Sequence, residues 1–233
     1  MTEKKLLCFA HRGARSQAPE NTLAAIRIAL DLGAHWIEID VHKVENELVL
    51  IHDRWLQKTT NGIGLVSSQA LDYVRSLDAG AGEQIPLLDE AVDLIAGKAG
   101  LNIEIKSPDC AQLLANKIDF YLNKKHWQAE QFLVSSFDQQ QLAEFKTLRP
   151  DIAIGLLISG IPLDYAAAAE KLGAASIHLD IDFVSKALID DAHQRGLNVY
   201  VYTANHQADI KYLISLGVDG LFSDFPERVL NNR

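Results

Sequence analysis

Cysteine is scarce in this 233-residue sequence, which contains only Cys8 and Cys110. Two cysteines cannot form a disulfide framework, and neither has the CxxC or CxH spacing of a zinc site. We therefore expect two free thiols in a reducing compartment. The sequence also lacks an apolar run long enough to span a bilayer, and its short amino-terminal apolar stretch does not fit a signal peptide. These absences together predict a cytoplasmic protein without stable membrane association.

Basic residues are outnumbered, because the chain has 22 lysines and arginines against 31 aspartates and glutamates, a formal net charge of −9. Surfaces that bind nucleic acids or anionic membranes need clustered lysine and arginine. We therefore expect no nucleic-acid partner, and the sequence predicts no particular oligomeric state. A site for an anionic substrate would need a local excess of positive charge, because the overall field of the protein repels anions.

No stretch rich in proline, glycine or serine and no low-complexity tract divides the chain. A single domain over residues 1–233 is therefore predicted. Short apolar runs alternate instead with segments of helical periodicity. The runs predicted as strands are Leu6–Ala10, Trp36–Asp40, Leu48–His52, Leu101–Ile105, Phe132–Ser135, Ala153–Leu157, Ser176–Leu179, Asn198–Tyr202 and Gly220–Phe222.

One junction interrupts this alternation. Trp36–Val44 and Leu48–His52 are separated only by a short turn segment, which suits a hairpin rather than a helix. With the returning strand counted as an arm, eight strands alternate with helices, as in a parallel sheet. The chain length fits a barrel, and the absence of GxGxxG and GxxxxGKS/T motifs disfavours an open nucleotide-binding sheet. We predict an α/β protein, a (β/α)8 TIM barrel with a β-hairpin arm and a small insertion at about residues 54–84.

Acidic residues stand inside otherwise apolar strands, where charge is rarely buried unless it is paired or bound to metal. Glu38 and Asp40 point to the same side of one predicted strand, and Glu104 occupies the next strand of the barrel. Three convergent carboxylates suit Mg²⁺ or Ca²⁺ better than Zn²⁺. Spacing alone leaves two alternatives open. Arg12 and Lys106 could neutralise the acids without metal, or two acids could form the catalytic pair of a glycosidase.

Two histidines, His11 and His52, end predicted strands and are the candidate general acid and base, because imidazole titrates near neutral pH. The other histidines are interpreted as surface or structural residues, with the exception of His178, which ends the sixth barrel strand. Arg12 and Lys106, together with a divalent cation, would create a positive focus in an acidic protein. Such a focus suits a phosphoryl group.

Six short motifs follow one another in a fixed order along the chain. They are His11-Arg12-Gly13, Pro19-Glu20-Asn21-Thr22, Glu38-Ile39-Asp40, His52-Asp53, Glu104-Ile105-Lys106, and Gly217-Val218-Asp219-Gly220 with Asp224-Phe225-Pro226. Together they resemble the glycerophosphodiester phosphodiesterases, most closely a short cytoplasmic bacterial-type member. The resemblance runs from about Phe9 to Pro226, and it places the insertion near the glycerol pocket.

This resemblance implies a (β/α)8 barrel that hydrolyses glycerophosphodiesters to sn-glycerol 3-phosphate and an alcohol. It implies one divalent cation, Mg²⁺ or Ca²⁺, bound by Glu38, Asp40 and Glu104. It also implies that His11 and His52 are the acid–base pair. The residues implied to bind substrate or phosphate are Arg12, Lys106, Glu20, Asn21 and Tyr202. Of these, only the tyrosine departs from the family pattern, which usually carries tryptophan before threonine in a Val-x-x-Trp-Thr-x-Asn stretch.

Two other functions remain open at this point. A related barrel could act on lysophospholipids by phospholipase D-like or lyase chemistry, which would need an exposed apolar lip or a membrane-binding element. The chain could instead be a catalytically inactive barrel that serves as a binding module. A scaffold, however, has no physical need for two histidines and three carboxylates gathered at one mouth.

Overall fold

The structure of the protein is a computed structural model in which residues 6–125 and 127–232 are described. Within these ranges nine strands form one sheet. They are β1 (Leu7–Ala10), β2 (Trp36–Val44), β3 (Glu47–Leu50), β4 (Gly100–Ile105), β5 (Phe132–Ser136), β6 (Ala153–Ile158), β7 (Ser176–Asp180), β8 (Asn198–Tyr202) and β9 (Gly220–Ser223). Every predicted apolar run therefore coincides with a strand.

Eight of these strands form a closed parallel barrel. Strand β1 pairs in parallel with β9 on one side and with β2 on the other, which closes the sheet. Strand β3 alone is antiparallel, and it pairs with the last four residues of β2. The predicted TIM barrel with a hairpin arm is confirmed. The hairpin differs in detail, because β3 ends at Leu50 and leaves His52 in the loop beyond it.

Nine helices are described, and all except the second, which belongs to the insertion, cover the outside of the barrel. They are α1 (Leu23–Asp31), α2 (Leu71–Ser76), α3 (Leu88–Ile95), α4 (Ala111–Lys124), α5 (Gln139–Leu148), α6 (Ala167–Lys171), α7 (Lys186–Gln194), α8 (Gln207–Leu216) and α9 (Pro226–Leu230). In α1 the Thr22 side chain accepts a hydrogen bond from the Ala25 backbone N–H, which caps the first turn. The apolar faces of the helices and the outward faces of the strands form the largest hydrophobic core.

The stretch predicted as an insertion lies between β3 and α3. It contains the short helix α2 and two 3-10 turns, Leu56–Lys58 and Val66–Ser68. Its apolar side chains form a separate small core with residues of the hairpin: Val44, Val49, Ile51, Leu56, Val66, Val74, Leu77 and Ile85. The apolar side chains of the segment therefore pack on the hairpin arm, while Glu83 and Arg75 form hydrogen bonds with residues of α1 and α3.

The interior of the barrel is divided along the strands. In the middle of the barrel, the Phe9 ring lies 4.5 Å from Phe222, 4.7 Å from Tyr200 and 5.6 Å from Trp36, measured between ring centroids. Charged and polar side chains occupy the carboxyl ends of the same strands. The carboxyl ends of barrel strands meet at one mouth, which is where TIM-barrel enzymes build their active sites.

Candidate active site

The loop after β1 is held in an unusual backbone conformation that brings His11 and Arg12 into the mouth. Arg12 and Gly13 both have positive φ angles, +55° and +78°. Gly13 is needed there, because a Cβ atom at this position would lie 2.7 Å from the Ala25 carbonyl carbon. The Arg12 backbone N–H donates to Glu38 Oε2 at 2.8 Å, so the loop is tied directly to the acidic residues of β2.

Three carboxylates converge inside the mouth. Glu38 and Asp40 on β2 and Glu104 on β4 each offer an oxygen atom, and these atoms lie within 4.8 Å of one another. The three side chains are buried. Asp40 Oδ2 accepts a hydrogen bond from Asn21 Nδ2 at 2.8 Å. By contrast, Glu38 Oε1 and Asp40 Oδ1 have no hydrogen-bond partner among the described residues.

The protonation of these carboxyls reflects their crowding. Burial, followed by repulsion from Asp40 and Glu104, raises the pKa of Glu38 well above its usual range. Burial and then Asp40 raise the pKa of Glu104 to about 7. Burial also disfavours ionised Asp40, but Arg12 and Lys106 outweigh it and lower its pKa. Arg12 and Lys106 therefore stabilise the ionised form of Asp40. The pKa values of Glu38 and Glu104 stay raised, and a bound cation would favour their ionised forms.

Two cations flank the carboxylates. Arg12 Nη1 lies 2.7 Å from Glu20 Oε1, and its Nε lies 3.3 Å from Asp40 Oδ2. Lys106 Nζ lies 2.7 Å from Glu104 Oε1 and 3.7 Å from Asp40 Oδ1. Burial opposes the charge of Lys106, but Glu104 and Asp40 outweigh it and raise the pKa of the ammonium group. Both side chains are therefore charged at neutral pH.

His11 is held by a carboxylate that the sequence analysis did not assign to the site. Its Nδ1 lies 2.7 Å from Asp224 Oδ1. Asn205 fixes this carboxylate, since its Nδ2 donates to Asp224 Oδ2 at 2.8 Å and its Oδ1 accepts from the Asp224 backbone N–H at 2.9 Å. Burial lowers the pKa of His11, whereas Asp224 raises it. Asp224 follows β9 and Asn205 follows β8, and their polar character at strand ends was the only feature of the sequence that could have indicated them.

His52 has a looser environment. Its Nδ1 is buried without a hydrogen-bond partner among the described residues, and it lies 3.6 Å from Asp53 Oδ2. Burial lowers its pKa. The backbone carbonyl of His52 is within 3.1 Å of His42 Nε2, so a second, buried histidine fixes the loop. His42 is a structural residue, as expected.

A pocket of about 130 Å³ brings these groups together. It is lined by His11, Arg12, Glu38, His52, Asn102, Glu104, Lys106, Ser135, Phe137, Leu157, His178, Tyr202, Thr203 and Phe222. Three predicted site residues do not line it but contact those that do: Asp40, Glu20 and Asn21. The Tyr202 hydroxyl donates to the Ile158 carbonyl at 2.9 Å. His178 lies within β7, two residues before its end, and not at the end as predicted.

The sequence profile of the glycerophosphoryl diester phosphodiesterase family matches residues 11–228. The chain belongs to this family. A glycerophosphodiester phosphodiesterase of Caldanaerobacter subterraneus subsp. tengcongensis is 35% identical over 241 residues, with 97% of each chain covered. The solved structure of an Oleispira antarctica phosphodiesterase, in complex with the product sn-glycerol-3-phosphate, is 33% identical at a TM-score of 0.88 and covers 97% of this chain and 95% of its own. A human lysophospholipase D is 25% identical over 269 residues, covering 95% of this chain and 84% of its own.

Family membership confirms that the protein is an enzyme of the glycerophosphodiester phosphodiesterase class. It also disfavours the glycosidase and the inactive binding module. The donor set agrees with this class, because clustered carboxylates with two oxygens that accept no hydrogen bond from the described residues could hold a divalent cation. In the part of the chain that the structure describes, no helix has the length and apolar character needed to cross a membrane.

Proposed function

We propose that this phosphodiesterase hydrolyses glycerophosphodiesters to sn-glycerol 3-phosphate and an alcohol, with a divalent cation and a histidine acid–base pair. One observation carries the proposal. Two buried carboxylate oxygens, Glu38 Oε1 and Asp40 Oδ1, accept no hydrogen bond from the described residues, and they lie in a site whose pocket is also lined by both histidines. Burial of a carboxylate oxygen that accepts no hydrogen bond costs free energy unless a cation binds it.

Glu38, Asp40 and Glu104 would hold the cation, which would supply positive charge to the phosphodiester oxygens. Mg²⁺ and Ca²⁺ both take such oxygen ligands. Arg12 and Lys106 line the same pocket or contact its carboxylates, and they would hold the remaining phosphate oxygens. Fixed cations of this kind stabilise the charge that develops on a transferring phosphoryl group.

The two histidines would move the protons. Asp224 holds His11 through Nδ1, which leaves Nε2 as the nitrogen available to the substrate. One histidine removes a proton from the attacking oxygen, and the other protonates the oxygen of the departing alcohol as its bond to phosphorus breaks. The net reaction consumes one water molecule, whose oxygen ends on phosphorus and whose protons end on the products. The Oleispira relative supports the product, because its structure contains sn-glycerol-3-phosphate.

The test is product release from glycerophosphocholine by the purified full chain, followed with a dehydrogenase specific for sn-glycerol 3-phosphate. We expect release with Mg²⁺ or Ca²⁺, loss of activity after EDTA, and recovery when the ion is added back. Full activity of the EDTA-treated, dialysed protein would contradict the role of the carboxylates as metal ligands. Release of choline phosphate instead of glycerol 3-phosphate would contradict the bond cleaved.

A lysophospholipase D activity is a second candidate, favoured by exposed apolar side chains near the mouth. Phe137, Ile161 and Phe183 lie in the segments that follow β5, β6 and β7, and each is about half exposed. The human relative is named a lysophospholipase D. Choline release from lysophosphatidylcholine at rates comparable to glycerophosphocholine would support this candidate. Activity confined to the acyl-free substrate would exclude it.

A further inference from the structure

The floor of the pocket carries polar side chains that the proposed chemistry does not use. Asn102 on β4, Ser135 on β5 and His178 on β7 all line the pocket. Each is at most 1% exposed. Asn102 is in register with Glu38, whereas Glu104 is in register with Asp40. Asn102 therefore lies deeper in the barrel than Glu104, and the His178 ring lies 5.3 Å from Tyr200 and 5.2 Å from Phe222, measured between centroids.

Asn102 presents an unused acceptor. Its Nδ2 donates to Ser135 Oγ at 3.0 Å. Its Oδ1 has no hydrogen-bond partner among the described residues although it is buried. Buried acceptors are nearly always paired in native proteins, so a group that is not part of this chain is expected to donate to Asn102 Oδ1.

His178 presents a second unpaired atom. Its Nε2 lies 2.9 Å from Ser176 Oγ, while its Nδ1 has no partner among the described residues. Burial lowers the pKa of the ring to about 3, so it is neutral at physiological pH. When the serine hydroxyl donates to Nε2, the ring proton resides on Nδ1, which is then a free donor. The ring fits only because residue 155 is glycine, since a Cβ there would lie 2.3 Å from His178 Nε2.

The chemistry of these two atoms selects a class of ligand. Asn102 Oδ1 requires a donor, which a phosphate oxyanion cannot provide. An alkyl group would leave both atoms unpaired. A hydroxyl group can both donate to Asn102 Oδ1 and accept from His178 Nδ1–H. The two atoms are therefore complementary to the hydroxyl groups of a bound ligand.

We propose that Asn102 and His178 form a subsite for the hydroxyl groups of the substrate's glycerol moiety and thereby determine specificity for glycerol-bearing phosphodiesters. This inference rests on the proposed function for the identity of the glycerol group. The two fail separately, because a binding measurement needs no turnover. A protein that binds glycerol 3-phosphate through this floor but cleaves no glycerophosphodiester would contradict only the proposed function.

The experiment compares dissociation constants of sn-glycerol 3-phosphate and inorganic phosphate by calorimetry, in Mg²⁺, for the full chain and for Asn102→Leu and His178→Leu. We expect each substitution to weaken glycerol 3-phosphate roughly 5- to 30-fold, as the loss of one hydrogen bond implies. Phosphate affinity should change less than about twofold, because phosphate has no glycerol. The proposal would be overturned if neither dissociation constant changed, or if both rose by the same factor.

Gln141→Met is the matched control, because Gln141 is a buried amide on α5 that accepts from the Cys110 and Ala111 backbone N–H groups outside the pocket. It should lower the melting temperature without changing the ratio of the two dissociation constants. His178→Gln, which retains a polar group, should recover part of the affinity lost in His178→Leu. If the leucine variants do not fold, a crystal structure of the unmodified chain with glycerol 3-phosphate decides. A glycerol oxygen within about 3.2 Å of Asn102 Oδ1 or His178 Nδ1 supports the subsite, and a water molecule there with glycerol elsewhere overturns it.

Discussion

The barrel interior contains an aromatic layer and a charged mouth. The same strands supply both, but the side chains of the two regions differ in chemistry. Strand β1 carries Phe9 in the aromatic layer and leads directly to His11, while β2 carries Trp36 in that layer and Asp40 in the mouth. The aromatic rings are apolar and pack at 4.5 to 5.6 Å between centroids. The mouth gathers like charges and unpaired polar atoms.

The aromatic layer and the mouth therefore differ in what they contribute to stability and to reactivity. Burial of packed rings stabilises the fold with no electrostatic cost. Crowded carboxyls with raised pKa values oppose folding until a ligand compensates them, as is common at functional sites. The aromatic layer should therefore tolerate little truncation and contribute little to chemistry, and the mouth should show the reverse.

The largest effect is expected at the two histidines. His11→Ala and His52→Ala should each lower kcat for glycerophosphocholine by roughly 10²- to 10⁴-fold, because each removes a proton-transfer group. The melting temperature should change by only a few degrees, since neither ring belongs to the aromatic layer. Steady-state kinetics and thermal unfolding measure the two quantities. The exposed His206 provides the control, because His206→Ala should leave both unchanged. Near-normal turnover of either variant would contradict the acid–base assignment.

Truncation in the aromatic layer should give the opposite result. Phe9→Ala should lower the free energy of unfolding by about 3–5 kcal/mol, because it leaves a cavity among Trp36, Tyr200 and Phe222. The kcat of the folded fraction should stay within a few-fold of normal. Denaturant unfolding and active-site titration check this, and Phe9→Leu should lose less stability. A large loss of kcat at unchanged stability would break the contrast.

The fold could be predicted from the sequence because strand residues are written as contiguous apolar runs. Asn198–Tyr202, for example, is a strand with the predicted bounds. The hairpin end could not be read in the same way. Ile51 continues the apolar pattern of β3, but it packs in the small core of the insertion, and the strand ends at Leu50. Local pattern does not reveal which neighbour a buried side chain contacts.

The candidate site was predictable where motifs carry it and hidden where partners are remote in sequence. Glu38 and Asp40 share a face by strand geometry alone. The His11–Asp224 contact joins residues 213 positions apart, and it forms because β1 and β9 meet when the barrel closes. The unpaired atoms of Asn102 and His178 depend on side-chain conformations that no spacing encodes.

Loss of the His11–Asp224 contact should have an effect of intermediate size on turnover. Asp224→Asn should lower kcat roughly 10- to 100-fold, the value of a charge-assisted hydrogen bond to the imidazole. It should also lower the pKa of His11 further, because Asp224 now raises it. An NMR titration of the His11 ring and the kinetics measure these effects. Asp180→Asn, at the end of β7, is the matched control and should leave both unchanged. Normal turnover with an unshifted histidine would show that Asp224 is only structural.

The smallest effect is a gain in stability within the mouth. The pKa of Glu104 is raised from 4.5 to about 7, so the folded chain binds this proton more tightly than the unfolded chain. Its stabilising contribution is complete below pH 4.5 and is lost as the pH rises through about 7. Metal-free Glu104→Gln should therefore be more stable than the unmodified chain at pH 8, with the difference vanishing toward pH 4.5.

Denaturant unfolding across this pH range, with and without Mg²⁺, measures the difference. Saturating Mg²⁺ should close or reverse it, because an ion bound by the folded protein stabilises the chain that retains all three carboxylates. Gln141→Met, outside the mouth, should show no such dependence on pH or metal. If Glu104→Gln is instead less stable at pH 8 without metal, the ion pair with Lys106 outweighs the crowding. The cluster would then be a salt-bridge network that needs no cation, and the contrast between the aromatic layer and the mouth would fail.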